Sequence, residues 1–290
     1  DEVNEQIKKY AAAARVRAIL RNSTLGLLAN YNEAMWSTYM DPYCLFTKLG
    51  PEIRFLAYSD YGNAIEAIPA EELKSYCDEL TTNYKMMDDV AYDKFEASVA
   101  ASIGLKDMAE ASDIDIMVFN DIDTAMFRLV GLRAGFYHPW FNQNSSVLVP
   151  EADMGAGIMT YILKLLSGKN VNFVEPFHIE NEFGTFAGGH AGPNDHNDPE
   201  WQKNVIIARD VRFAKSDSAA DLEALVDSRT KALFLENIGN LVCPAEFDTG
   251  ASKNMTILSQ FRLHQQQNFA TEMVLFSIQM LREMLLMVHM

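Results

Sequence analysis

Residues 146–168 read SVLVPEADMGAGIMTYILKLLSG, and this stretch decides the fold. Ser146 to Val149 is a short apolar run stopped by Pro150, which predicts a buried strand. Apolar positions then recur at helical spacing from Met154 to Ser167, and Gly168 stands where a helix C-cap is wanted. A strand leading directly into a helix is half of a βαβ unit.

The same alternation runs through the preceding sequence. Thr24 to Ala29 (TLGLLA), Ile53 to Tyr58 (IRFLAY) and Ile114 to Asn120 (IDIMVFN) are apolar runs of strand length. Helical segments separate them: residues 2–21, the run AEELKSYCDEL after Pro69, and residues 91–111. Asn172 to Val174 (NFV) predicts the start of a fifth strand. Strands divided by helices pair in parallel through right-handed crossovers, so the fold class is α/β with a doubly wound, mostly parallel sheet. Ligands of such sheets bind beyond the carboxyl ends of the strands.

The texture changes after about residue 175. Glu182 to His190 and Asn204 to Ala208 predict strands without a helix between them, flanking a polar, turn-rich GPNDHNDPEW. Ala219 opens a helix–strand pair, and residues 255–290 form a Met- and Gln-rich amphipathic helix. Three parts follow: a Rossmann-like α/β domain over 1–170, a truncated β-rich portion over 171–215, and an atypical tail over 216–290 that caps exposed sheet. No internal repeat is present.

The 290 residues carry 24 Lys+Arg against 40 Asp+Glu, a net charge of −16. That balance argues against nucleic acid and anionic membrane as partners. Cys44, Cys77 and Cys243 form no CxxC pair and read as reduced thiols of a cytoplasmic protein. Met273 to Met290 is the nearest approach to a membrane span, but Arg282 and Glu283 stand at its centre. Asp1 in the place of an initiator Met predicts a fragment or processed product.

Three residues are candidates for chemistry. Glu151 follows SVLVP, at a strand's carboxyl end and a helix start, where the helix dipole favours its charged form. Taken alone it is more commonly a helix-supporting acid of the first turn. Glu175 follows VNFV and can face Glu151 across neighbouring strand ends; alone, it reads as an ordinary turn acid. His190, in FAGGHAGPND, follows two glycines that permit close backbone approach. Two carboxylates and an imidazole on one rim suit Mn²⁺, Mg²⁺ or a similar cation. His138 reads as a core histidine beside a conceivable sugar-stacking wall. His178 and His196 rank below His190 as ligands, and His264 and His289 have no assigned role. There is no GxxxxGK[ST], GxGxxG, GxSxG or HExxH, and Gly155-Ala156-Gly157 lacks the Lys of a phosphate cradle.

The segments VLVPEADMGAGIMTYILKLLSG, NVNFVEPFHIE and FGTFAGGHAGPNDHN resemble the metal-binding core of the L-fucose/L-arabinose isomerase superfamily. The layout is similar from about Ala14 to Lys215. The resemblance implies a Rossmann-like domain before a β-rich C-terminal domain, with aldoses and ketoses interconverted at a Mn²⁺ site. It implies that Glu151, Glu175 and His190 bind the metal and that the two glutamates move the proton. It further implies a small sugar substrate, a pentose or 6-deoxyhexose, and a homo-oligomeric state. The chemistry is coherent: a carboxylate pair can transfer a proton between adjacent carbons while a divalent ion stabilises the ene-diolate.

After Lys215 the sequence departs from that family. ALFLENIGNLVCPAEFDTG (Ala232 to Gly250) is similar to a segment of the hydrogenase nickel-incorporation GTPases, in which the cysteine of NLVCP, here Cys243, helps bind metal. DLEALVDSRTKALFLENIGN also resembles a piece of cystathionine-synthase-type pyridoxal-phosphate enzymes, without an identifiable lysine context for that cofactor. Three readings stand: a Mn²⁺-dependent aldose–ketose isomerase, a non-catalytic α/β module that binds sugar or metal or serves assembly, and a metallochaperone-like fragment around Cys243.

Overall fold

The computed structural model describes residues 2–33, 35–88, 90–121, 123–130, 134–173, 175–180, 185–189, 193, 195–197, 205–209 and 230–234. The elements in chain order are α1 (Glu2–Leu20), β1 (Thr24–Leu28), a 3-10 turn at Trp36–Thr38, α2 (Pro42–Lys48), β2 (Glu52–Leu56), α3 (Tyr58–Glu66), α4 (Ala70–Asn83) and β3 (Lys85–Met86). They continue with α5 (Tyr92–Ala111), β4 (Ile116–Phe119), α6 (Thr124–Val130), α7 (Trp140–Gln143), β5 (Val147–Val149) and α8 (Met154–Ser167). Last come β6 (Glu175–Glu180), β7 (Thr185–Gly189), β8 (Val205–Arg209) and β9 (Thr230–Phe234).

The protein is α/β. Its main sheet has four parallel strands in the order β2-β1-β4-β5. Strands β1, β4 and β5 are buried along their whole length, whereas the edge strand β2 carries Glu52 and Arg54 and is partly exposed. On one face, Leu25, Leu27, Ile116, Val118, Val147 and Val149 meet Val16 and Leu20 of α1, Leu45 of α2, and Ile158 and Tyr161 of α8. The alternate residues Leu28, Met117, Phe119 and Leu148 face the other way, onto Tyr61 of α3, Leu105 of α5, Met126 of α6 and Phe141 of α7. Period-two alternation thus serves two cores at once.

Helix α8 lies close on this sheet because of a missing side chain. A Cβ at Gly157 would come 2.6 Å from Val118 Cγ1 and 3.0 Å from Ile116 Cγ2. Asp153 caps the helix start, accepting from Ala156 N at 2.8 Å, and Gly168 ends it at φ 66°. The glycines of this motif therefore serve helix–strand packing and termination, and Gly155 faces the Met40 thioether.

A third cluster packs Tyr76, Cys77 and Leu80 of α4 and Phe95, Val99 and Ile103 of α5 against Phe136, Val205 and Ile207. Here β3 pairs in parallel with β8, which pairs antiparallel with β9. Strands β6 and β7 form a separate antiparallel pair.

Three local expectations are corrected. The second apolar run stops as a strand at Leu56; Ala57 stays extended as an N-cap and Tyr58 opens α3. No strand forms over Asn172 and Phe173, because the Asn172 side chain accepts from Asp195 N at 2.6 Å; β6 starts at Glu175 instead. Glu175 is therefore the first residue of an antiparallel strand and does not end a strand of the main sheet. The described residues of the polar PNDHN run form neither helix nor strand, and Asp195 and His196 are buried there. The amphipathic helix expected over 255–290 lies outside the described residues. No helix among the described residues is long and apolar enough to cross a membrane.

Candidate functional site

The chain leaves β1 for β2 on one side and later returns to place β4 on the other. The strand order therefore reverses between β1 and β4, and ligands of such sheets usually occupy the crevice at that switch point. Asn30 follows β1, Tyr58 follows β2, Asn120 and Asp121 follow β4, and Glu151 follows β5.

Asn120 spans the gap between the first and third of these loops. Its backbone N donates to Leu28 O at 3.0 Å and its Nδ2 to Tyr31 O at 3.3 Å. Its Oδ1 is buried and accepts no hydrogen bond among the described residues, and the same holds for Asn30 Oδ1. Buried oxygens of this kind need a partner, and a hard cation or a ligand hydroxyl is a suitable one.

Glu151 is 8% exposed and Asp121 is 0% exposed. The Glu151 N–H donates to Asp121 Oδ1 at 2.9 Å, and Ala152 N donates to Phe119 O at 2.8 Å. These bonds hold Glu151 at φ 66° and Ala152 at φ 54°, two consecutive left-handed residues without glycine. Such a conformation costs on the order of 1–3 kcal/mol per residue and persists only where its surroundings enforce it. The turn is thus built by the end of β4, not by α8 alone.

The surrounding acids feel each other. Burial raises the Asp153 carboxyl pKa and the Glu151 charge adds to it, against the amides of Ala156 and Gly155. Burial raises the Tyr58 hydroxyl, with nearby Asp123 and Asp121 adding to the shift. Asp123 also caps α6, accepting from Ala125 N at 2.6 Å. This end of the sheet therefore gathers carboxylates, a phenol and amide oxygens, the kinds of donor that suit a divalent cation or a polyhydroxy ligand. Among the described residues, no group of three His, Cys, Asp or Glu side chains is arranged to hold a metal ion.

Glu151 and Asp121 are thus brought together at the rim. Glu175 begins β6, where its register partner is Gly189, the residue before His190. His190 itself lies outside the described residues, as does Cys243. His138 sits against the Tyr76 ring at 4.8 Å and accepts from Trp140 N at 3.2 Å, a packed and satisfied histidine. His196 lies inside the third cluster between the rings of Tyr84 and Phe136, away from the rim.

A second polar assembly escaped the sequence reading. Lys164 is 9% exposed; its Nζ donates to Ser146 O at 2.7 Å, Asn142 Oδ1 at 2.8 Å and Phe141 O at 3.0 Å. Asn142 Nδ2 in turn donates to Asp195 Oδ1 at 2.9 Å. The available signal was helical spacing: Lys164 is three residues beyond Tyr161 and seven beyond Gly157, both on the buried face of α8. This assembly lies where α8 ends and β5 begins, at the edge of the sheet opposite the crevice.

No family model matches the chain. A 27-residue stretch, 9% of the chain, is 67% identical to the hydrogenase/urease maturation factor HypB of Helicobacter hepaticus. A 38-residue stretch, 13% of the chain, is 47% identical to a probable hydrogenase maturation factor HypB of Methanocaldococcus jannaschii. Part of this protein is similar to hydrogenase maturation factors. The matches cover 11% and 17% of those two proteins, so the similarity is local. They bear on the resemblance read in Ala232 to Gly250 and not on that read from Ala14 to Lys215.

Proposed function

We propose that the protein is a metal-binding assembly module, with Cys243 as the thiolate ligand of a soft or borderline cation such as Ni²⁺ or Zn²⁺. The observation that carries this reading is the 67% identity over 27 residues with a hydrogenase/urease maturation factor. The chemistry supports it, because thiolate is the ligand type that selects such ions. The α/β layers act as the scaffold, and the crevice beside Asp121 and Glu151 holds a ligand of oxygen-seeking character.

The test is calorimetric titration of the whole protein with Ni²⁺ and Zn²⁺. Cys243→Ser should weaken binding at least tenfold, and the parent should release protons on binding as its thiol ionises. Equal binding by Cys243→Ser overturns the proposal.

A second reading is Mn²⁺-dependent aldose–ketose isomerisation by Glu151, Glu175 and His190. Its support is the resemblance of the motifs that carry these three residues, strongest over residues 131–215. An assay of pentose and 6-deoxyhexose interconversion with Mn²⁺ separates the two. Turnover abolished by Glu151→Gln establishes the isomerase; no turnover and no Mn²⁺-dependent rise in Tm removes it.

A further inference from the structure

One corner of the molecule carries a dense set of uncovered apolar side chains. Trp36 is 80% exposed, Tyr43 73%, Phe55 60% and Phe46 54%. Helix α2 turns Leu45 into the core and packs Leu49 against it, which leaves Tyr43 and Phe46 on its outer side. Strand β2 is the edge of the main sheet. Its Ile53 packs into the same cluster as Leu45 and Leu49, so Phe55, two residues on, projects from that same sheet face. Tyr43, Phe46 and Phe55 thus belong to one surface, where α2 meets the sheet edge. Contiguous exposure on this scale marks a surface that something covers.

We propose that this surface is covered by residues 273–290 of the same chain, MVLFSIQMLREMLLMVHM, which lie outside the described residues. Three observations select this occupant. First, the segment is apolar except for Arg282 and Glu283 among its Lys, Arg, Asp and Glu positions, and it needs a partner surface of its own. Met273, Met280, Met284 and Met287 recur at helical spacing, and thioether sulfur packs favourably against aromatic rings. Second, it is within reach: the residues between Phe234 of β9 and Met273 can span roughly 100 Å when extended, more than the width of a domain of this size. Third, charge disfavours a second copy. Each chain carries −16, whereas Arg282 and Glu283 leave the segment neutral, so covering the patch from within adds no repulsion.

The experiment uses the full chain with p-benzoylphenylalanine in place of Tyr43, prepared as an equal mixture of ¹⁴N and ¹⁵N protein and irradiated. Crosslinked peptides should join position 43 to residues 273–290, with both halves carrying the same isotope. Crosslinks of mixed isotope mean that a second copy covers the patch and overturn the proposal, as does the absence of any crosslink to 273–290. In a companion measurement, Phe46→Asp with Phe55→Asp should raise amide exchange across 273–290 at least tenfold and leave α8 unchanged. Unchanged exchange in 273–290 also overturns it.

Discussion

Lys164 and Asp195 are joined through one amide: Asn142 accepts from Lys164 Nζ at 2.8 Å and donates to Asp195 at 2.9 Å. The two other Lys164 protons go to backbone carbonyls at the start of β5 and in α7. An ammonium with three acceptors is a satisfied buried cation, and it ties α8, α7, β5 and the PNDHN run together. Lys164→Met removes all three donors and leaves two buried carbonyls and an amide oxygen unpaired. The expected loss is about 2–4 kcal/mol in urea unfolding. Burial pulls the Lys164 pKa down to about 8, with the Asp195 charge opposing. The unfolded chain then binds more protons between about pH 8 and the ordinary lysine value. The parent should therefore gain stability relative to Lys164→Met as pH rises through that window. A difference that stays flat with pH refutes this account.

His138 is shifted in the same sense, but its window lies in acid. Burial first, and then the charges of Lys106 and His196, lower its pKa from 6.5 to about 4. Its Nδ1 accepts from Trp140 N, so protonation also breaks a hydrogen bond. The unfolded chain binds the extra proton between about pH 6.5 and 4, and stability is lost as pH falls through that range. A shift of this size corresponds to about 3 kcal/mol at full effect. His138→Phe should abolish that part of the acid sensitivity. Identical midpoint-against-pH curves for the two proteins would count against it.

Asp121→Ala should unfasten the turn after β5. The substitution leaves the Glu151 N–H without its acceptor while Glu151 and Ala152 stay left-handed. A cost of about 1–3 kcal/mol is expected, with faster amide exchange at residues 151 and 152. Asp121→Asn keeps an oxygen acceptor and should recover most of the loss. Equal destabilisation by both variants would mean that charge, not the hydrogen bond, holds the turn.

The two glycines of the α8 motif should respond differently to alanine. At Gly157 the added Cβ meets Val118 and Ile116 at 2.6 and 3.0 Å, forcing the helix off the sheet. About 1–3 kcal/mol is expected, as for other overpacked cores. At Gly168 nothing lies within 4 Å of the added Cβ, but φ is 66°. The cost there is conformational, about 1 kcal/mol. Double substitution with Val118→Ala should rescue Gly157→Ala and leave Gly168→Ala unaffected.

Strands β1, β4 and β5 were legible in the sequence because they are buried on both faces. Uninterrupted runs such as IMVF and VLV need no alternation to be recognised, and α8 announces itself through its helical spacing and Gly168. The rim position of Glu151 was legible for the same reason, since a strand–helix junction fixes which end of the sheet it occupies. Its partner Asp121 was not, because the bond joins backbone to side chain across 30 residues. The short elements α2, α6, α7 and β3 carry too few residues to set up a period, and tertiary packing forms them.

The sequence by itself determined the class of fold, the alternation of strand and helix, and the end of the sheet at which Glu151 stands. Those properties follow from spacing along the chain, which local backbone geometry converts directly into a face or an end. Only the tertiary structure decided that Asp195 and His196 are interior, that Lys164 is a buried cation with a full set of acceptors, and that Glu175 opens an antiparallel strand. Each of these depends on which distant segment supplies the partner. A polar side chain is stable inside only when that partner arrives, and no local pattern encodes its arrival.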